Sequence, residues 1–414
     1  MVAAAILAVL LLGAWGIHRF LPWNQAPETE EATGKLSRRD LPPPLQKAFE
    51  HLHRLEGKEA RQVLEEALTR RPDDALLHHA LAGTLDFLGS TLDARTESDK
   101  AVARIATVAG PGLRSWIEGR HHRLHRRLEE ALPFFREAAA ELPELVPLQL
   151  ELVEVTSDVG RYEEAEAILS RLSAAGPDPR VLLQQARLAA LRGDARRHRD
   201  LSEQARAAAI AAGSEVLAAS ARLHLLDAAR SLGRIDDLRS GLEELAAVFA
   251  STENLRYITS VKGYLAWLDV IDQDFDGGRR RFLEILEGCR SAGYLDGEST
   301  TLSALAQLEL HTGDRVAQER WLAEVSDLEP KIATPEGDIR LLLVKSKNRH
   351  QAGDLETAQS LARQALTSAR AHTFQNQEAR ALQRLGEIEA DRGREARAVD
   401  SFQQARALTE GLGD

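Results

Sequence analysis

From residue 45 onward, apolar and small residues recur three or four apart, and the recurrence itself repeats along the chain. Ala60, Leu64, Ala67 and Pro72 set the spacing; Ala131, Phe135, Ala138 and Pro143 repeat it, as do Ala165, Leu169, Leu172 and Pro177. It puts the first three residues on one helical face and lets proline end the helix. The small residues let two antiparallel helices come close, and the larger one a turn later fills the groove between them. A second small-residue signal stands about a helix length upstream, as in Leu81-Ala82, Glu118-Gly119 and Leu385-Gly386. Each unit is predicted to be an antiparallel helix pair.

In the second half the period lengthens. Gly193, Gly233, Gly313, Gly353 and Gly393 fall at multiples of 40 residues, with Gln273 in the one skipped slot. Glycine in that phase predicts a left-handed backbone position ending the first helix of each pair. Gly278, Phe282 and Ile285, then Ala358, Ala362 and Ala365, then Ala398, Phe402 and Ala405 mark the packed faces of second helices. His198 and Leu238 stand where a small residue is expected, and the unit around Trp321 is out of step.

These residues resemble the tetratricopeptide repeat, and Gly160, Tyr162, Ala165, Leu169 and Pro177 make one of the closer matches. The resemblance implies an all-α fold: an α-solenoid, a right-handed superhelix of about ten helix pairs. Four pairs are expected over residues 45–178 and six over 179–414. The longer units are similar to the sensor superhelices of bacterial regulators. The order of anchor, linker and repeats, with the stretch GLRSWIEG at residues 112–119, resembles the C-terminal part of bacterial membrane-bound serine/threonine kinases or winged-helix regulators. These 414 residues contain no kinase or winged-helix segment.

Ahead of the repeats, residues 2–17 (VAAAILAVLLLGAWGI) form an unbroken apolar or small-residue stretch, flanked by Arg19 and by Trp15 and Trp23. Residues 1–23 are expected to form a single-pass membrane anchor, because they approach the length of a spanning helix and lack a good cleavage site. A cleaved signal and a buried helix are the alternatives, and the side of the membrane holding the solenoid stays open. Residues 24–44 read as a polar, Pro-rich linker.

Composition agrees with helices: aromatics are 5% and charged residues 28%. A net charge of -11 argues against direct nucleic-acid binding, and one cysteine rules out an intramolecular disulfide. No phosphate-binding glycine loop, nucleophile elbow or His-Glu-x-x-His helix is present, so no enzyme, cofactor or small-molecule substrate is expected. Cys289 reads as a small buried residue. His121 and His125 in RHHRLHRR are four apart, a zinc-compatible spacing. Arg120, Arg123, Arg126 and Arg127 crowd them, so a solvated helix end is preferred and no metal is expected.

Stacked helix pairs leave a concave face lined by first helices, with each repeat touching only its neighbours. Such a face suits a protein or peptide partner. Counting back from the turn glycines in steps of three or four nominates Arg187, Asp227, Arg230, Trp267, Gln307, Lys347 and His350 as partner-binding residues, with Trp116 and Arg120 in an earlier unit. An exposed Trp beside Arg would be the natural anchor. The carboxylate clamp of the chaperone-tail variant of this repeat is disfavoured, because Leu45 and Phe49 hold its slots. The chain is therefore expected to be a non-catalytic, membrane-anchored scaffold. The alternative is the sensor part of a bacterial signalling protein whose effector domain is absent here.

Overall fold

The structure is a computed structural model that describes residues 41–231, 238–332 and 335–410. The described residues form ten consecutive antiparallel helix pairs and no strand. The first pairs are α1 (Pro43–His53) with α2 (Gly57–Arg70), α3 (Ala75–Leu88) with α4 (Thr91–Ala103), and α5 (Pro111–Leu124) with α6 (Leu128–Glu141). Next come α7 (Val146–Asp158) with α8 (Tyr162–Ser173), α9 (Pro179–Arg192) with α10 (Ala195–Ala211), and α11 (Glu215–Ser231) with α12 (Leu238–Ala250). α13 (Leu255–Ile271) pairs with α14 (Phe275–Ser291), and α15 (Leu295–Thr312) with α16 (Arg315–Ile332). Last are α17 (Pro335–Gln351) with α18 (Leu355–Ala371) and α19 (Gln375–Asp391) with α20 (Glu395–Glu410).

The small residues sit at the helix contacts. Ala60, Ala131, Ala165, Ala358, Ala362 and Ala365 are fully buried, and a Cβ on Gly119 would lie 3.1 Å from the Phe135 ring. His198 also stays buried in its small-residue slot, by turning its ring onto His224 at 3.1 Å. Phe402, on the last described helix, remains 40% exposed.

Gly193, Gly313, Gly353 and Gly393 all have positive φ. Gln273, in the skipped slot, takes the same conformation at φ 67°, so the turn geometry persists where the glycine does not. The residue that follows then starts the second helix: Asp194, Asp274, Asp314 and Asp354 each accept a backbone N–H from three residues on, at 2.9 to 3.1 Å. Glycine ends one helix and aspartate caps the next, satisfying free N–H groups at its start.

First helices of successive pairs touch one another, whereas second helices make no comparable contact. The first helices are thus the inner layer, and helices such as α3 and α7 are buried almost all round. Second helices bury one face and turn their charged face outward.

The solenoid does not confine its contacts to adjacent repeats. α13 reaches α3, where Arg256 donates to the Asp86 backbone oxygen at 2.7 Å and to its carboxylate at 2.5 Å, and Asn254 donates to the Phe87 oxygen at 3.0 Å. Arg126 pairs with Asp296, Arg95 donates to the Lys331 oxygen at 2.7 Å, and Thr373 donates to the Gly160 oxygen at 3.0 Å. These partners lie 167 to 236 residues apart, so the later pairs come back onto the earlier ones. The expectation of neighbour-only contacts fails because the chain curls far enough for its second half to meet polar groups on its first.

The membrane placement is corrected as well. Among the described residues, no helix is long and apolar enough to cross a membrane. Even α15, 18 residues long, carries Asp296, Glu298 and Glu309. Residues 1–23, on which the anchor was expected, lie outside the described residues, as does most of the stretch read as linker. Single-pass membrane localisation and a membrane partner are not supported.

Candidate binding face

The inner layer carries an unusual density of buried charge. On α7, Glu151 accepts from Arg120 Nε at 3.1 Å and from Trp116 Nε1 at 3.3 Å. Arg120 also donates to the His79 oxygen at 2.6 Å and lies over the Trp116 ring, centred 5.1 Å away. One turn on, Arg123 pairs with Asp86 at 3.1 Å and lies 4.0 Å from Glu154. Arg187 then donates to Asp158 at 2.6 Å, and Arg230 to Asp227 at 2.5 Å, with the Tyr264 hydroxyl on the same carboxylate at 2.8 Å. The ladder thus runs from repeat to repeat: Arg120, Arg123 and Arg187 meet carboxylates on neighbouring first helices, and the Arg230–Asp227 pair within α11 is joined to α13 by the Tyr264 hydroxyl.

Trp116, Arg120, Arg187, Asp227, Arg230, Trp267, Gln307 and Lys347 are all buried, and His350 is half-buried with Nε2 2.8 Å from Asp391. All lie on first helices. Arg120 and Trp116 meet at one carboxylate, and Asp227 and Arg230 pair with each other; the others are not brought together. Neither tryptophan is the exposed anchor expected from sequence. Trp116 fills space between His79 and Phe49, and Trp267 packs edge-on to Phe282, 5.2 Å between centroids. A ring of this size is worth more against neighbouring repeats than in water.

Several buried polar atoms on these helices have no hydrogen-bond partner among the described residues: Arg187 Nε and Nη1, Gln184 Oε1, Ser260 Oγ, Gln307 Oε1, and both amide atoms of Asn348. Burial, with the nearby Arg384 guanidinium, pushes the Lys347 ammonium down to about 8.

A tetratricopeptide-repeat family model matches residues 123–188, which run from the end of α5 to α9 and include the center of this ladder. With ten paired helices closing on their small residues, that match decides the family. The chain is a tetratricopeptide-repeat protein. No curated protein is similar to it in sequence. Among solved structures, a Rap protein complexed with Competence and Sporulation Factor is similar in fold, with a TM-score of 0.55 and 10% identity over 89% of this chain and 97% of that one. The Rap conjugation gene regulator of the plasmid pLS20, in complex with the Phr* peptide, matches at 0.53 and 10% identity over 79% of this chain and 95% of that one.

In this tetratricopeptide-repeat protein, sequence reasoning missed Asp86, Glu151, Glu154, Asp158 and Gln184. For the acids of α3 and α7 a signal could have singled them out: they stand on predominantly apolar first helices, and α7 reads VPLQLELVEVTSD, too apolar for a solvated face, whereas Gln184 on the Arg-rich α9 gives no such signal.

Glu154 has a measurable consequence. Burial pushes its carboxyl up to about 7; Arg123 and Arg187 pull the other way, while Glu151 and Asp158 add to the rise. The folded chain therefore holds a proton that the unfolded chain releases. Stability from this group is fully present below the ordinary carboxylate value of 4.5 and is lost as pH rises through about 7. Glu154→Gln keeps the oxygen that accepts from Gln184 Nε2 at 3.0 Å and removes the titration. Chemical unfolding at pH 4.5 and pH 8 should show the Gln variant gaining on the natural protein by roughly 2–3 kcal/mol across the interval. A pH-independent difference would place the proton elsewhere.

Proposed function

We propose that this protein binds an extended peptide or peptide-like segment of a protein partner along the inner layer formed by its first helices. The observation that carries the reading is the series of polar atoms without a hydrogen-bond partner among the described residues on Gln184, Arg187, Ser260, Gln307 and Asn348; they are closed to solvent in this structure, so the ligand reaches them as the first helices part around it. Leaving such a group unpaired costs about 1–3 kcal/mol, and an extended backbone supplies alternating donors and acceptors that would satisfy it. The Rap structures of similar fold contain a factor or a peptide, which supports this type of ligand. No catalytic role is proposed: the buried charges of the ladder are matched in ion pairs, and Cys289 is buried with its thiol pushed up to about 12.

Selection from a displayed peptide library against the purified chain tests the reading. Enriched sequences should bind saturably, and Arg187→Ala with Gln307→Ala should weaken them by at least about tenfold, the effect of roughly 1.4 kcal/mol. Absence of enrichment, or affinity unchanged in the double variant, would remove the inner layer as the binding face.

A further inference from the structure

The second half of α5 and its C-cap hold His121 and His125, and the structure brings Asp99 of α4, from the preceding helix pair, against both. Asp99 Oδ1 lies 2.8 Å from His125 Nε2 and 3.4 Å from His121 Nδ1. One donor atom from each of the three residues falls within 4.8 Å of the other two. Four ligands at ordinary metal–nitrogen and metal–oxygen distances of about 2.0–2.2 Å stand roughly 3.4 Å apart, so small side-chain adjustments suffice to enclose an ion.

The objection from sequence was the surrounding arginine. The fold removes most of it. Arg120 is committed to Glu151 and the His79 oxygen, Arg123 to Asp86, and Arg126 to Asp296. Arg127 remains, 3.9 Å from Glu130. His122 is separately engaged, 3.1 Å from Glu130 and stacked on Phe134. The two imidazoles four residues apart are thus left facing one carboxylate, with the arginines directed to other acids. Asp99 is 56% exposed and His121 and His125 are 17% and 29% exposed, so an ion can enter from solvent.

We propose that Asp99, His121 and His125 form a binding site for a borderline divalent transition-metal ion, Zn2+ being the natural occupant. Two imidazoles and one carboxylate match the donor preference of such ions and suit Mg2+ or Ca2+ poorly. The ion takes the place of the direct contact between His125 Nε2 and Asp99 Oδ1, and a water completes the tetrahedron on the exposed side. Its structural effect is to join α4 to α5 beside Arg95 and Arg126, the side chains that reach Lys331 and Asp296 in the returning half of the solenoid. The site is independent of what occupies the inner layer.

Untagged, chelator-treated protein titrated with Zn2+ or Co2+ tests the assignment. One equivalent should bind saturably, Co2+ should give the intense visible absorption of four-coordinate cobalt, and the thermal midpoint should rise. His121→Ala with His125→Ala, and separately Asp99→Asn, should weaken binding at least about tenfold and abolish the midpoint shift while the metal-free helical signal is retained. Absence of a saturable equivalent, or equal affinity and spectrum in those variants, would overturn the proposal.

Discussion

Asp86→Ala is expected to be the most damaging single substitution on the inner layer, destabilising the fold by about 3–5 kcal/mol. Asp86 accepts from Arg123 at 3.1 Å and from Arg256 at 2.5 Å, and all three side chains are buried. Removing the carboxylate leaves two guanidiniums in a water-poor environment without their shared counter-charge, and the cost is dominated by that desolvation rather than by the bonds lost. Arg256 belongs to a helix 170 residues away, so the same change loosens the contact between the two halves of the solenoid. Denaturant unfolding should show the lower midpoint, and small-angle scattering a larger radius of gyration. Loss below about 1 kcal/mol with unchanged dimensions would mean that the ion triplet does not hold the halves together.

Gly160→Ala is the second. Gly160 follows α7 at φ 80°, where an L side chain costs about 1–2 kcal/mol. An added Cβ would also run into the His372 carbonyl oxygen, a backbone atom of the returning half that cannot rotate away. Gly393 occupies the equivalent turn at φ 70° with nothing within 4 Å of an added Cβ. Gly393→Ala should therefore cost only the backbone term, about 1 kcal/mol, and Gly160→Ala at least about 2 kcal/mol more. Gly160→Ala should also break the hydrogen bond from Thr373 to the Gly160 oxygen. Equal losses in the two variants, measured by the same unfolding experiment, would show that the halves are not in contact at this point.

The two glycines show where sequence reading reaches its limit. Gly393 is legible as a turn residue because the need for a left-handed residue is local and recurs in phase, and Gly160 stands in the tetratricopeptide-like match just ahead of Tyr162. That one touches a helix more than two hundred residues away is not local. Asp86 and Arg256 are likewise ordinary charged residues on helices whose neighbours are apolar, and the pattern says that they are buried without saying against what. The candidate binding residues divide in the same way. Their placement on first helices follows from counting back from a turn, but their exposure does not: Trp267 and Trp116 looked like anchors, yet both are buried, Trp116 against Phe49 and His79 of earlier pairs and Trp267 against Phe282 of its own.

The metal-site candidate adds a third kind of case. His121 and His125 share a helical face by spacing alone, whereas the carboxylate that faces them and the acids that draw the arginines away come from other helices. Sequence by itself determined the paired helices, their small-residue contacts and the glycine turns, because each depends on atoms within a few turns of one another. Tertiary structure alone decided which buried charges meet, how the second half of the chain rests on the first, and which side chains remain accessible. Those outcomes depend on curvature accumulated over many repeats, a small rotation per unit that no single stretch of residues encodes.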